Sequence, residues 1–240
     1  MITLEAENLV KVYRADGVET PALRGVSLKI EKGEFMSIVG PSGCGKSTLL
    51  NLLGTLDRPT SGRLLIDGID TSKLNDAKLA KLRNEKIGFV FQSFNMVPRM
   101  NGLMNVELPL LVKGTPKEER RGRALKLLEE LGIGKKAHNR PSQLSGGEQQ
   151  RLALARALIT DPSIVLADEP TGNLDTKNSA MVVELLEKLN ETTGKTFVVI
   201  THDLGLAYHT RRIVHLRDGE IEKEEYPDKS SVHKGYNHNI

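Results

Sequence analysis

Gly40-Pro41-Ser42-Gly43-Cys44-Gly45-Lys46-Ser47-Thr48 fits the spacing G-x-x-x-x-G-K-[ST] of a phosphate-binding loop. Its glycines let backbone N–H groups turn inward around phosphate oxygens. The apolar run Phe35–Val39 predicts a strand ahead of the loop, and Lys46–Leu53 predicts a helix behind it. That helix aims its N-terminal dipole at the same anion. Lys46 is the candidate cation for the β- and γ-phosphates, and Ser47 the candidate hydroxyl for Mg²⁺. Cys44 reads as a small loop residue, with no base beside it to make it a catalytic thiol. Its alkylation is expected to block nucleotide binding.

Three further groups stand where apolar runs end. Asp168 and Glu169 follow the run at 164–167. In a parallel sheet, ligands sit at the strands' carboxyl ends. Asp168 is the candidate magnesium partner, commonly through water. Glu169 is the candidate general base for an attacking water, a role worth about 10²–10⁴ in rate. Pro170 biases Glu169 away from α geometry, so the strand is expected to continue to the acid. His202, after the run at 197–200, is placed to contact a γ-phosphate. Gln92, after the run at 87–91, carries an amide that can ligate Mg²⁺ or hold a water where a helix-rich stretch begins. Tyr13 offers an aromatic face for adenine, next to a stretch at 14–20 that reads as flexible. The histidines at 138, 209, 215, 233 and 238 have no comparable placement.

Residues 142–151 read SQLSGGEQQR. Ser145, Gly146 and Gly147 open a run of strong helix formers, although each glycine has about 1 kcal/mol poorer helix propensity than alanine. Bare backbone at a helix start makes a second candidate anion site, with Glu148 on its first turn.

The elements that must hold these groups follow from periodicity. Ile2, Leu4 and Ala6 alternate, as do Val26, Leu28 and Ile30, which predicts strands. Hairpins are expected to turn at Asp67-Gly68 and at Asp218-Gly219. Helices are expected at 76–83, 116–131, 146–160 and 176–191, and buried strands at 164–167 and 197–200. Strand–helix alternation therefore surrounds a helical insertion near 93–162. The fold class is α/β, a parallel-sheet core with two additions.

The chain has 240 residues, no Trp and only 4% aromatics, so the core must be aliphatic. Net charge is +3 with no long basic run, so nucleic-acid binding is not favoured. One cysteine excludes an intramolecular disulfide. No stretch approaches the roughly 18 apolar residues of a membrane span. The first residues lack a basic region and an apolar signal core, and the expectation is a cytoplasmic chain.

Together these residues resemble the nucleotide-binding subunit of an ABC transporter over residues 2 to about 224. The resemblance supplies an adenine platform at Tyr13, the Walker A loop at 40–48 and the Q-loop at Gln92. It supplies the signature at Leu144-Ser145-Gly146-Gly147-Glu148 and Walker B at 164–169. The D-loop falls at Asn173-Leu174-Asp175, with Asp175 placed for a dimer seam, and the switch histidine at His202. It implies a P-loop NTPase (RecA-like) parallel-sheet core with an antiparallel β subdomain and an α-helical signature subdomain. The division it implies is one ATPase domain over 1–240. Residues 1–92 and 163–225 form core plus β subdomain, 93–162 the helical subdomain and 226–240 a polar tail. It implies ATP and Mg²⁺ as ligands, and two chains closed head-to-tail on two ATP. An integral membrane permease is the further partner, holding the chain peripherally on the inner face of the cell membrane.

Pro170-Thr171-Gly172-Asn173-Leu174-Asp175, Phe89-Val90-Phe91-Gln92-Ser93-Phe94-Asn95 and Asn105-Val106-Glu107-Leu108-Pro109 look like the lipoprotein-release, macrolide-export and cell-division ATPases. The alternatives are a solute-import ATPase of the same fold and a non-transport relative. The two Walker motifs lie only about 120 residues apart with no heptads, unlike the DNA-repair ATPases. One departure is Glu148, where the wider family usually has Gln and this sub-group often has Glu.

Overall fold

The computed structural model describes residues 1–15 and 17–228. The chain opens on a long hairpin, β1 (Ile2–Ala15) and β2 (Val18–Glu31). β3 (Phe35–Val39) leads through a loop to α1 (Lys46–Leu53). The short hairpin of β4 (Ser61–Ile66) and β5 (Ile69–Asp70) turns at Asp67-Gly68, ahead of α2 (Asp76–Lys86) and β6 (Ile87–Val90). The helices α3 (Gly102–Val112), α4 (Lys117–Glu130) and α5 (Gly146–Leu158) follow. The chain then alternates through β7 (Ile164–Asp168), α6 (Thr176–Thr193), β8 (Thr196–Ile200) and α7 (Leu204–Tyr208). β9 (Arg212–Arg217) and β10 (Glu220–Glu225) pair around Asp218-Gly219.

Two sheets result. One is antiparallel in the order β2-β1-β4-β5, and the other has the order β10-β9-β3-β8-β7-β6. In the second, β9, β3, β8, β7 and β6 run parallel and β10 is antiparallel to β9. Successive side chains on a strand point to opposite faces. Ile164, Leu166, Val198 and Ile200 therefore join one core with α1 and the antiparallel sheet. Val165, Ala167, Phe197 and Val199 join the other, with α3, α4, α5 and α6. A sheet buried on both faces needs continuous apolar strands, which is why β3 and β8 show no polar alternation. The carboxyl ends of β3, β6, β7 and β8 then share one edge. Gly40, Gln92, Glu169 and His202 lie just beyond those four ends.

Two expectations change here, and a third falls mostly outside the described residues. The stretch at 14–20 is ladder, not flexible loop: Tyr13 pairs Thr20, Arg14 pairs Glu19 and Ala15 pairs Val18, with Asp16 outside the described residues. Helix α3 is not among the expected helices, although it lies within the stretch expected to be a helical insertion. Asn101 caps its start by accepting the Met104 N–H, and Pro109 sits inside it. Of the tail at 226–240, residues 229–240, with His233 and His238, lie outside the described residues.

The helix-rich stretch is organised by one buried amide. Asn105 Oδ1 accepts the Val97 N–H (2.8 Å). Its Nδ2 donates to the carbonyls of Val97, Met100 and Asn101 at 3.0–3.2 Å. An apolar replacement would leave the Val97 N–H and these carbonyls short of partners, each such loss costing about 1–3 kcal/mol. Asn105→Leu should therefore lower the thermal midpoint by several degrees, measured by circular dichroism.

Candidate active site

The loop from β3 to α1 is gripped from both sides. A Cβ on Gly40 would stand 2.1 Å from the Leu216 carbonyl oxygen, and one on Gly45 2.5 Å from that of Ala22. Gly45 also has φ +103°, a left-handed conformation that glycine adopts without strain. It caps α1 without any side-chain bond, so the helix's first N–H groups are not taken by a cap. Pro41, Ser42, Gly43 and Ser47 are exposed, while Gly45, Lys46 and Thr48 are half-buried. Lys46 Nζ lies across the loop, donating to the carbonyls of Gly40 (2.7 Å) and Pro41 (2.9 Å). Cys44 is a core residue packed with the α1 leucines. Its thiol is reached only when the loop opens, so alkylation reports loop opening as well as loop chemistry.

The expectation that the strand runs on to Glu169 fails. β7 ends at Asp168, and Glu169 has φ +44°. A residue before proline is barred from the right-handed helical region, and here the chain turns left-handed instead. Such a conformation costs on the order of 1–3 kcal/mol and persists only where neighbours hold it. The neighbours are on β8 and just after it. Glu169 N–H donates to the Ile200 carbonyl (2.8 Å), and Thr201 Oγ donates to Glu169 Oε2 (3.1 Å). The other oxygen, Oε1, accepts the His202 N–H (3.1 Å) and lies 2.7 Å from His202 Nδ1. The His202 ring is otherwise largely exposed. Burial holds the Asp168 carboxyl above the ordinary range, the adjacent Glu169 charge adds to this, and Lys46 opposes it.

Gln92 is brought to the segment after Glu169. A Cβ on Gly172 would meet its Nε2 at 2.7 Å, and Asn173 Nδ2 donates to its carbonyl (2.9 Å). Beyond it, Phe94 and Asn95 are both left-handed, at φ +59° and +46°. Arg156, in the last turn of α5, donates to the Phe94 carbonyl (2.7 Å) and to that of Asn95 (2.5 Å). Tyr13 projects from β1, partly exposed, with Lys11 Nζ 5.0 Å from its ring centroid and its hydroxyl 3.4 Å from Asp57 Oδ2.

The start of α5 answers why Gly146 and Gly147 are bare. A Cβ on Gly147 would lie 2.4 Å from Asn178 Oδ1, and one on Gly146 3.0 Å from a Leu174 methyl. The same chain therefore already needs the clearance. Asp175, expected at a seam between chains, caps α6 here: its carboxylate accepts the Asn178 N–H (2.8 Å) and side-chain amide (2.7 Å). Ser145 and Glu148 close a capping box. Glu148 N–H donates to Ser145 Oγ (3.3 Å), and Ser145 N–H to Glu148 Oε2 (2.8 Å). Among the described residues, the Gly146 and Gly147 N–H groups have no acceptor.

The three side chains expected to hold Mg²⁺, Ser47, Asp168 and Gln92, each offer an oxygen donor. That suits a hard cation completed by phosphate oxygens. Among the described residues, no cluster of three or more His, Cys, Asp or Glu could hold a metal without such help.

Comparison with known proteins identifies the family. A family model described as ABC transporter matches residues 23–172. The chain belongs to the ABC transporter family. It is accordingly an ATP-binding and ATP-hydrolysing cassette. An ABC transporter ATP-binding protein of Thermotoga maritima is 54% identical over 91% of this chain and 93% of its own length. The macrolide export ATP-binding/permease protein MacB of Syntrophobacter fumaroxidans is 50% identical over 93% of this chain, which spans only 32% of that relative. Among solved structures, the dimeric post-hydrolysis state of the ATP-binding cassette MJ0796 bound to ADP and Pi has a TM-score of 0.86. It is 49% identical over 94% of this chain and 99% of that one. No described helix of this ABC cassette is long and apolar enough to cross a membrane.

Sequence reasoning missed three groups that brace these residues: Thr201, which bonds Glu169; Arg156; and Asn178. It placed Asn173 in the D-loop but did not foresee its bond to the Gln92 carbonyl. Thr201 stood beside His202 at a strand end, and Arg156 was the one cation between Ala155 and Ala157, so both left a trace. Nothing local marks Asn178.

Two predictions follow from this geometry. Because the folded Asp168 holds its proton to higher pH than the unfolded chain, stability falls as pH rises through that window, and the ionised carboxylate costs stability above it. Asp168→Asn should therefore raise the thermal midpoint at pH 8, with the gain shrinking as pH falls below the window, while ATP turnover is lost. Gly147→Ala should destabilise by about 1–3 kcal/mol through overpacking, and Asn178→Ala should restore part of that in chemical denaturation.

Proposed function

We propose that this cassette closes head-to-tail with a second copy around two ATP and transmits that closure to a membrane permease. The observation that carries the reading is the pair of helix starts, α1 and α5, whose leading N–H groups are left free for an anion. One chain carries one copy of each, and a two-fold dimer gives every nucleotide both. The dimeric cassette holding ADP and Pi supports this assignment.

In this reading the loop 40–48 cradles the phosphates, with Lys46 reaching the β- and γ-phosphates, and Tyr13 stacks on adenine. Ser47, Asp168 and Gln92 hold Mg²⁺, which when bound neutralises phosphate charge. Glu169, already bonded to His202 and Thr201, accepts the proton of the attacking water. His202 exchanges its bond to Glu169 for one to the γ-phosphate. Ser145, Gly146, Gly147 and Glu148 form the cap presented to the partner's nucleotide, and Asp175 lies at the seam. The proposed division follows: core and β subdomain at 1–92 and 163–225, helical subdomain at 93–162.

The permease partner fits a cleft of about 460 Å³ lined by Leu56, Phe91, Asn95, Leu108, Pro109 and Val112. Its rim keeps Leu56 and Val112 exposed, and the loop after Gln92 forms one wall. The MacB relatives, in which an ATP-binding part is joined to a permease, support the macrolide-export and lipoprotein-release sub-group. The chain would then be peripheral, held on the inner face of the membrane.

Glu169→Gln should bind ATP, lose turnover by about 10²-fold or more, and sediment as a dimer with ATP and Mg²⁺. A monomer under those conditions refutes closure. Ser145→Ala and His202→Ala should each lower turnover more than they lower ATP affinity of the monomer.

A further inference from the structure

A carboxylate is an awkward neighbour for an anion site. Glu148 stands on the first turn of α5, beside the two N–H groups that the cassette leaves free. Its charge suits the helix dipole and opposes an incoming phosphate. The structure shows how both of its oxygens are engaged. Oε2 accepts the Ser145 N–H at 2.8 Å, and Oε1 lies 3.2 Å from Lys136 Nζ. The Ser145 N–H, with Lys136 adding to it, holds this carboxyl below its ordinary range, so Glu148 is a full anion at neutral pH.

Lys136 is presented from firm ground. It ends the short turn Gly134–Lys136 between α4 and α5, and its N–H donates to the Ile133 carbonyl (2.9 Å). The next residues are tied to the start of α3. Leu103 N–H donates to the Ala137 carbonyl (2.7 Å), and Gly102 N–H to that of Asn139 (2.9 Å). Ala137 is buried in the helical core. The ammonium therefore reaches Glu148 from a backbone anchored on a different helix.

We propose that Lys136 is a positioning residue for ATP-driven closure. It cancels the charge of Glu148 and keeps that side chain in the capping box. The Gly146 and Gly147 N–H groups then meet the partner's γ-phosphate with no net negative charge beside them. Glutamate gives a charge-assisted cap that glutamine would not, and the lysine removes its electrostatic penalty. The inference rests on the head-to-tail reading above.

The test is a double-mutant cycle in the full chain carrying Glu169→Gln, reading the dimer dissociation constant by sedimentation with ATP and Mg²⁺. Lys136→Met should raise that constant about five- to thirtyfold, since a two-fold dimer holds two copies of a partly exposed pair. Lys136→Gln should do the same, and Lys136→Arg should match the parent. With Glu148→Gln also present, Lys136→Met should change the constant less than about twofold. Thermal midpoints without nucleotide should stay together across the set, which separates this role from a structural one. Equal dimerisation of Lys136→Met and parent overturns the proposal, as does equal weakening with and without Glu148→Gln. If the Glu169→Gln parent itself stays monomeric, the closure reading falls and takes this inference with it. If the parent dimerises and the cycle shows no coupling, only this inference falls.

Discussion

An N–H group can grip a phosphate only if nothing in its own chain has already taken it. Every helix begins with such donors, and most chains close them with a polar cap. This one does so at α2, α3, α6 and α7, where Asn75, Asn101, Asp175 and Asp203 accept first-turn N–H groups. The start of α4 is uncapped, but Glu118 and Glu119 stand in its first turn and satisfy the dipole from within. α1 and α5 leave donors for an outside anion in different ways. α1 starts on glycine, which cannot cap. α5 caps its first and fourth donors through Ser145 and Glu148 and leaves the two between them free. A full cap at either helix would stabilise the fold and remove the site.

The same conflict between stability and chemistry recurs at the edge of the parallel sheet. Asp168 is buried enough to resist ionisation, and Glu169 sits in a conformation that L-residues avoid. Both costs fall on adjacent residues at one strand end. They are tolerable because the strand beneath is packed on both faces, in two separate cores. Backbone and side-chain bonds from Ile200, Thr201 and His202 then dictate where the Glu169 carboxylate points. The rigid sheet supports the strained residue, so the carboxylate proposed as general base is placed before any ligand arrives.

How much of this was legible depended on whether the cause was local. The β3–loop–α1 unit was readable because spacing, strand and helix start all lie within residues 35–53. The strand ends at Gln92, Asp168 and His202 were readable because buried parallel strands leave uninterrupted apolar runs. Helix α3 was hidden because its Gly102 and Pro109 are locally unfavourable; its start is held from a later segment, where the Asn139 and Ala137 carbonyls accept the Gly102 and Leu103 N–H groups. The Glu169 turn was hidden because Pro170 excludes one backbone region without choosing between the others. Cys44 read as a small loop residue, yet it is buried in the core with the α1 leucines. A second reason for Gly147 was hidden, since Asn178 is distant in sequence and only the fold brings it within reach.

That contact between α5 and α6 has a mechanical consequence. Gly147 abuts Asn178, and Asp175, which holds Asn178, closes the segment that starts at Glu169. Within that segment Asn173 is bonded to the Gln92 backbone. At the far end of α5, Arg156 holds the Phe94 and Asn95 carbonyls just past Gln92. One helix thus grips the Gln92 segment from both ends, by packing at its start and by charged hydrogen bonds at its finish. α5 cannot tilt without moving one of these contacts. In the head-to-tail dimer proposed above, α5 would face the nucleotide of the other chain and Gln92 the nucleotide of its own. The two half-sites of a single chain are then joined through its own packing, and events at one phosphate bear on the geometry at the other.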